Sequence, residues 1–122
     1  MGTAFDQLKT RLAEVRDLDY AGSLLSWDQE TYMPEAGVKG RSEQLATLSK
    51  LSHEIFIAPL TGRLLKQADA EPDVQKSKVK RAIVRVARRD YTQSRKLPTA
   101  FVAELARHFS LAQQTWARAR KA

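Results

Sequence analysis

At 122 residues, 43% of them hydrophobic, the chain has the length of one domain with a modest core, and with no cysteine it can hold no disulfide, thiolate metal site or thiol nucleophile. No apolar run nears the roughly 18 residues of a membrane span, and Met1-Gly2-Thr3 leads straight into charged, periodic sequence rather than a secretory signal, so a cytoplasmic protein is the default expectation. The net charge of +7 is unevenly placed: residues 1–75 carry eight basic and twelve acidic side chains, residues 76–122 thirteen and two, a split that points to a nucleic-acid or membrane partner or to acidic sequence elsewhere in a longer protein.

The first helix is predicted from Thr3 to about Leu25. Phe5, Leu8, Leu12, Val15, Leu18 and Leu25 recur at spacings that place them on one face. Thr3 is the candidate N-cap, with Asp6 three residues on in a capping-box arrangement. The small residues Ala21, Gly22 and Ser23 would let another helix approach closely.

The stretch Ser26-Trp27-Asp28-Gln29-Glu30-Thr31-Tyr32-Met33-Pro34 reads as the one long interruption, firmest at Met33, because proline disfavours helical geometry in the residue before it. A second helix is expected from Glu35 to about Ile57, with Val38, Leu45, Leu48, Leu51 or Ser52, and Ile55 with Phe56 inward. Arg41 falls in register with that stripe. Its stem is expected to be buried and its head to reach a carboxylate, Asp28 or Glu30 being nearest in sequence. Trp27 is expected to pack inward at the turn.

Pro59 opens a short third helix, Leu60 to Ala68. Pro72 sits at the first position of a fourth, running to about Arg95 with Val79, Ile83, Val86, Ala87 and Tyr91 on one face and a basic opposite face. Leu97-Pro98 breaks the chain again. The fifth helix, Pro98 to about Arg120, carries Phe101, Leu105, Phe109, Ala112, Trp116 and Ala119 at helical spacing, a stripe still strong where the sequence stops. The expected fold class is therefore all-α: about five helices in one segment, 1–122, with short connections that favour antiparallel neighbours.

Chemistry is sparse in these elements. His53-Glu54 is the first half of the zinc pattern H-E-x-x-H, but the second histidine would have to be residue 57, which is Ile. His53 and His108 read as ordinary solvated or partly packed residues. Asp28 and Glu30 invite an acid/base reading, and helix capping with pairing to Arg41 or Lys39 is the favoured one. No phosphate loop, nucleophile elbow or nucleophile with a base is present. The basic run Lys76–Lys96 has a single aromatic residue, Tyr91, and no reader motif, so a solvated helix face outweighs a nucleic-acid site.

The opening motif Ser26–Pro34, followed by Arg41-Ser42-Glu43-Gln44-Leu45-Ala46-Thr47-Leu48, resembles the N-terminal region of the carboxypeptidase Taq family of metallocarboxypeptidases. Arg88-Arg89-Asp90-Tyr91 leading to Lys96-Leu97-Pro98, and Phe101-Val102-Ala103-Glu104-Leu105 leading to Trp116–Ala122, keep the family's order across the chain. The resemblance implies an all-helical, zinc- or cobalt-dependent peptidase that removes C-terminal residues from peptides and forms homodimers. It places the metal on an H-E-x-x-H helix and a further Glu, all downstream of the matched region. No catalytic or metal residue therefore carries over, and the segment is expected to be inactive alone. Trp27, Asp28, Gln29, Glu30 and Arg41 stand as a cleft-lining or structural motif. The alternatives are a stand-alone basic helical module that binds nucleic acid or an acidic protein partner, and a regulatory or dimerisation piece with exposed apolar stripes.

Overall fold

The computed structural model describes residues 2–122, and among them there is helix and turn but no strand. The helices are α1 (Ala4–Thr31), α2 (Val38–Ile57), α3 (Pro59–Asp69), α4 (Pro72–Lys76), α5 (Lys78–Ser94) and α6 (Thr99–Lys121), with a 3-10 turn at Glu35–Gly37 before α2. The all-α expectation holds, with five helices longer than one or two turns.

Two boundaries differ from the sequence reading. α1 does not stop at Leu25; it runs on through Trp27, Asp28, Gln29 and Glu30 to Thr31. Only Pro34 carries a steric veto, and it acts on Met33 alone, so the residues before it keep their helical bonds. The Tyr32 and Met33 amides both donate to the Asp28 carbonyl at 2.9 Å, closing the last turn. The second difference is at Ser77, where the predicted fourth helix divides into α4 and α5. Ser77 takes an extended conformation (φ −110°, ψ 119°), and its hydroxyl accepts from the Lys80 amide at 3.2 Å. Serine competes well as an N-cap, so one turn of helix is lost and a new start is gained.

The N-terminus of α1 is closed twice. Thr3 and Asp6 form the expected capping box. Glu71, from the α3–α4 connection, accepts from the Ala4 and Phe5 amides at 3.2 and 2.9 Å, placing a carboxylate at the positive end of the helix dipole.

The apolar core lies at this end of the molecule. Phe5 and Leu8 of α1 pack with Leu64, Leu65 and Ala68 of α3, Val74 of α4, and Val84 and Ala87 of α5. Gly62 gives Tyr91 its place against α3: a Cβ there would lie 2.5 Å from the Tyr91 hydroxyl oxygen. On α5 the buried positions are Val84 and Ala87, with Tyr91 partly covered, while Val79, Ile83 and Val86 are exposed.

The other half of the molecule is built differently. α2 is its axis, with α1 along one flank and α6 along another. The residues α2 buries completely are small or polar: Ser42, Ala46, Ser52 and His53. α6 meets this half through Val102, Ala103, Ala106, Ser110 and Gln113, and among these Ser110 is fully buried. The apolar stripe of α6 read from the sequence therefore points away from α2. Phe101, Leu105, Phe109 and Trp116 are 38–66% exposed, and Ala112 and Ala119 are exposed with them. Small side chains let the α6 backbone come close to α2, and polar bonds fix it there, which leaves the large apolar residues outside. α5 and α6, although joined by a short connection, touch each other little.

Candidate functional site

The motif singled out in the sequence sits where α1 ends, beside the first turns of α2. Arg41 is its centre. The side chain is 14% exposed, and its Nη2 donates to Asp28 Oδ2 at 2.9 Å. Nη1 donates to the Leu25 carbonyl at 2.6 Å, and Nε to Gln44 Oε1 at 3.1 Å. One planar guanidinium thus ties a carboxylate and a main-chain oxygen of α1 to α2, a task that suits arginine better than lysine. Of the two carboxylates expected near Arg41, Asp28 is the partner, and Glu30 has no ion-pair partner among the described residues.

Gln29, on the next face, reaches α6. Its amide nitrogen donates to the Ser110 carbonyl at 2.8 Å, and its amide oxygen accepts from the Ser110 hydroxyl at 2.7 Å. Trp27 departs from the expectation that it packs inward: it is 53% exposed and meets Tyr32 edge to face at 5.5 Å. The cause is the continued helix. With Leu25 and Asp28 turned to Arg41, the helical period carries position 27 to the outer side.

Further polar seams, separated too far in sequence to be read there, hold the same half together. Asp19 accepts from the Ser52 hydroxyl at 2.7 Å, which is why Ser52 rather than Leu51 is the buried member of that pair. Arg107 of α6 donates from Nε and Nη2 to the two oxygens of Glu43 at 2.8 and 3.1 Å, and also binds Glu104. The hydrogen bond from Arg107, opposed in part by desolvation and helped by its charge and that of Lys39, holds the Glu43 carboxyl below the usual range.

His53 is buried rather than solvated. Its Nδ1 lies 2.7 Å from Thr99 Oγ1, and its Nε2 lies 3.0 Å from the Ser94 carbonyl. A carbonyl can only accept, so Nε2 carries the proton and Nδ1 faces the threonine hydroxyl. With both ring nitrogens engaged in joining α2 to the α5–α6 corner, and Ile57 in the second histidine's place, His53 does not fit a metal-ligand role. His108 is exposed and 3.8 Å from Glu104. Among the described residues no group of three or more His, Asp or Glu side chains is placed to hold a metal ion.

Two surface features remain. The exposed side of α5 carries Lys78, Arg81, Arg85, Arg88 and Arg89; Arg88 pairs with Asp69 and Arg89 with Asp90, each at 3.3 Å. Between α1 and α6 runs an open groove of about 600 Å³ floored by Leu45 and Leu48 of α2, with Gly22 and Trp27 on one wall and Ala106 and Phe109 on the other. The arrangement as a whole is a set of polar clamps under an apolar-rimmed groove. It positions helices, and it contains no constellation that would activate water or a nucleophile.

Comparison with known proteins agrees with that division. The family model described as carboxypeptidase Taq (M32) metallopeptidase matches residues 7–122. Thermostable carboxypeptidase 1 of Thermus thermophilus is 33% identical over 118 residues, covering 96% of this chain and 23% of the relative. Thermostable carboxypeptidase 1 of Pyrococcus furiosus is 32% identical over 114 residues, 93% of this chain and 22% of the relative. The chain thus spans under a quarter of the length of these curated relatives. No solved structure gives a significant match.

Proposed function

The chain belongs to the carboxypeptidase Taq (M32) metallopeptidase family, and from that premise we propose that it is the N-terminal helical region of a metal-dependent carboxypeptidase that releases C-terminal amino acids from peptides. The metal and the catalytic groups belong to chain outside these residues. The observation that carries this reading is the pairing of a family match along nearly the whole chain with relatives more than four times as long. The half-motif His53-Glu54 supports it from the other side, since its histidine is spent on Thr99 and Ser94. The residues present do not fit the metal, and no catalytic step is assigned to them.

In this reading Asp28, Gln29 and Arg41 are structural: they lock the end of α1 to α2 and α6, while Trp27 and Glu30 face the groove. Residues 1–122 form one helical segment rather than an autonomous enzyme. The intact protein is a cytoplasmic homodimer that takes zinc or cobalt, as the resemblance implies. The test is an assay of C-terminal amino-acid release from a blocked dipeptide with each metal added. The 122-residue chain is expected to show none, and the longer protein encoded by its reading frame is expected to show metal-dependent release and to carry an H-E-x-x-H helix. Metal-dependent turnover by the 122-residue chain, or a longer reading frame without that helix, would overturn the assignment.

A further inference from the structure

We propose that the groove between α1 and α6 is the seat of a helix from the metal-bearing remainder of the peptidase, a helix that presents a basic side chain to Glu30; the proposal rests on the reading of the chain as part of a longer metallocarboxypeptidase. The shape comes first. α1 and α6 each lie along α2, and the groove they flank has the floor and two walls that a helix needs. The walls are lined by small groups, Gly22, Ser26 and Ala106, which permit a backbone to approach closely.

The rims come second. Trp27 is 53% and Phe109 66% exposed. Each belongs to a longer exposed series, Tyr20 and Leu24 on α1 and Phe101, Leu105 and Trp116 on α6. Scattered exposed apolar residues need no explanation, but an exposed aromatic on each wall of one groove, each continued by exposed apolar residues along its helix, marks a contact surface. Charge is the third argument. The ionisable residues lining the groove are Asp19 and Glu30, both acidic. Asp19 already accepts from Ser52, whereas Glu30 has no ion-pair partner among the described residues. The fourth is length. Relatives that match this chain nearly end to end have more than three-quarters of their residues outside the match, which supplies the occupant.

A peptide substrate is the competing occupant. The Gln29 amide, the central polar group of the α1 wall, is committed on both sides to Ser110 and is not offered to the backbone of an extended peptide.

The chain has no cysteine, so a single one introduced in the groove reports its accessibility. Gly22→Cys is the least disruptive site, since a Cβ there meets nothing closer than Leu45 Cδ2 at 4.0 Å. Maleimide labelling of the peptide carrying residue 22 is followed by mass spectrometry in the 122-residue chain and in the longer protein, relative to Lys66→Cys at an exposed position of α3. Protection of position 22 in the longer protein without substrate, by about tenfold or more relative to Lys66→Cys, is the expected result. Equal relative labelling in both proteins, or protection only when peptide substrate is added, overturns the proposal. As a second measurement, Phe109→Glu is expected to lower the melting temperature of the longer protein and leave that of the 122-residue chain unchanged; equal shifts in both count against it. The two readings fail separately. An active carboxypeptidase with an open groove overturns only the docking assignment, and a protected groove in a longer protein without metal-dependent release overturns only the function.

Discussion

Replacing Arg41 with methionine keeps most of the side chain's apolar stem and removes its five donors, so it isolates what the guanidinium does. The bond to the Leu25 carbonyl is short, part-buried and charge-assisted, and such a bond is worth about 1.5–3 kcal/mol. It also sits near the C-terminal end of α1, where the helix dipole favours a cation. The ion pair with Asp28 looks stronger on paper but is discounted, because the Asp28 side chain is 38% exposed and such pairs are worth about 0.2–1 kcal/mol. Together the loss comes to about 2–4 kcal/mol, or roughly 6–15 °C in melting temperature for a chain of this length. Far-UV circular dichroism during urea and thermal unfolding measures it. The ordering is the sharper part: Asp28→Asn is expected to cost about 1 kcal/mol or less, because the carbonyl, not the carboxylate, is the main anchor. An Arg41→Met variant within about 0.5 kcal/mol of the parent refutes the reasoning, as does an Asp28→Asn variant equally costly.

Trp27→Ala should cost about 1 kcal/mol or less, well short of the roughly 3–5 kcal/mol of a buried aromatic, since half of the ring is already in water; a larger loss on urea unfolding would place the ring inside. Glu71→Gln removes the charge facing the Ala4 and Phe5 amides and should destabilise by about 1 kcal/mol, with faster amide exchange in the first turn of α1. His53→Ala leaves the Ser94 carbonyl and the Thr99 hydroxyl without their partner and should cost about 1–3 kcal/mol, read from the same urea curves; a neutral result would show that water replaces the ring. The Glu43 carboxyl, lowered first of all by its bond to Arg107, binds its proton less readily folded than unfolded. Its contribution is present in full above the ordinary Glu pKa and is lost as pH falls through the lower folded value, so Glu43→Gln should flatten the acid limb of the stability profile below about pH 4.3.

The class of fold was legible because helices are local. Proline positions 34, 59, 72 and 98 marked the breaks, and Thr3 with Asp6 marked the first start. That Arg41 would meet Asp28 or Glu30 was legible too, since both carboxylates lie close to it across one turn, and the structure selects Asp28, 13 positions away. What stayed hidden lies across the chain. Gln29 and Ser110 are 81 positions apart, Glu43 and Arg107 are 64, and no local rule couples them. The break at Ser77 was missed because periodicity on both sides continues through it, while a single hydroxyl decides between propagating a helix and capping a new one.

The direction of the α6 stripe was not legible, for a more instructive reason. Periodicity states that a helix has an apolar face; it does not state which neighbour covers it. At the α1–α3–α5 end the rule worked for Phe5 and Leu8, because large side chains there meet large side chains within the same segment. At the α2–α6 end the contact is made by serine, alanine and paired polar groups, and the large residues Phe101, Leu105, Phe109 and Trp116 are left outside. A helix held by small and polar residues while showing its large apolar residues to water is costly for a self-sufficient domain. The same arrangement is ordinary in a segment whose apolar face meets further chain, and relatives more than four times as long carry such chain.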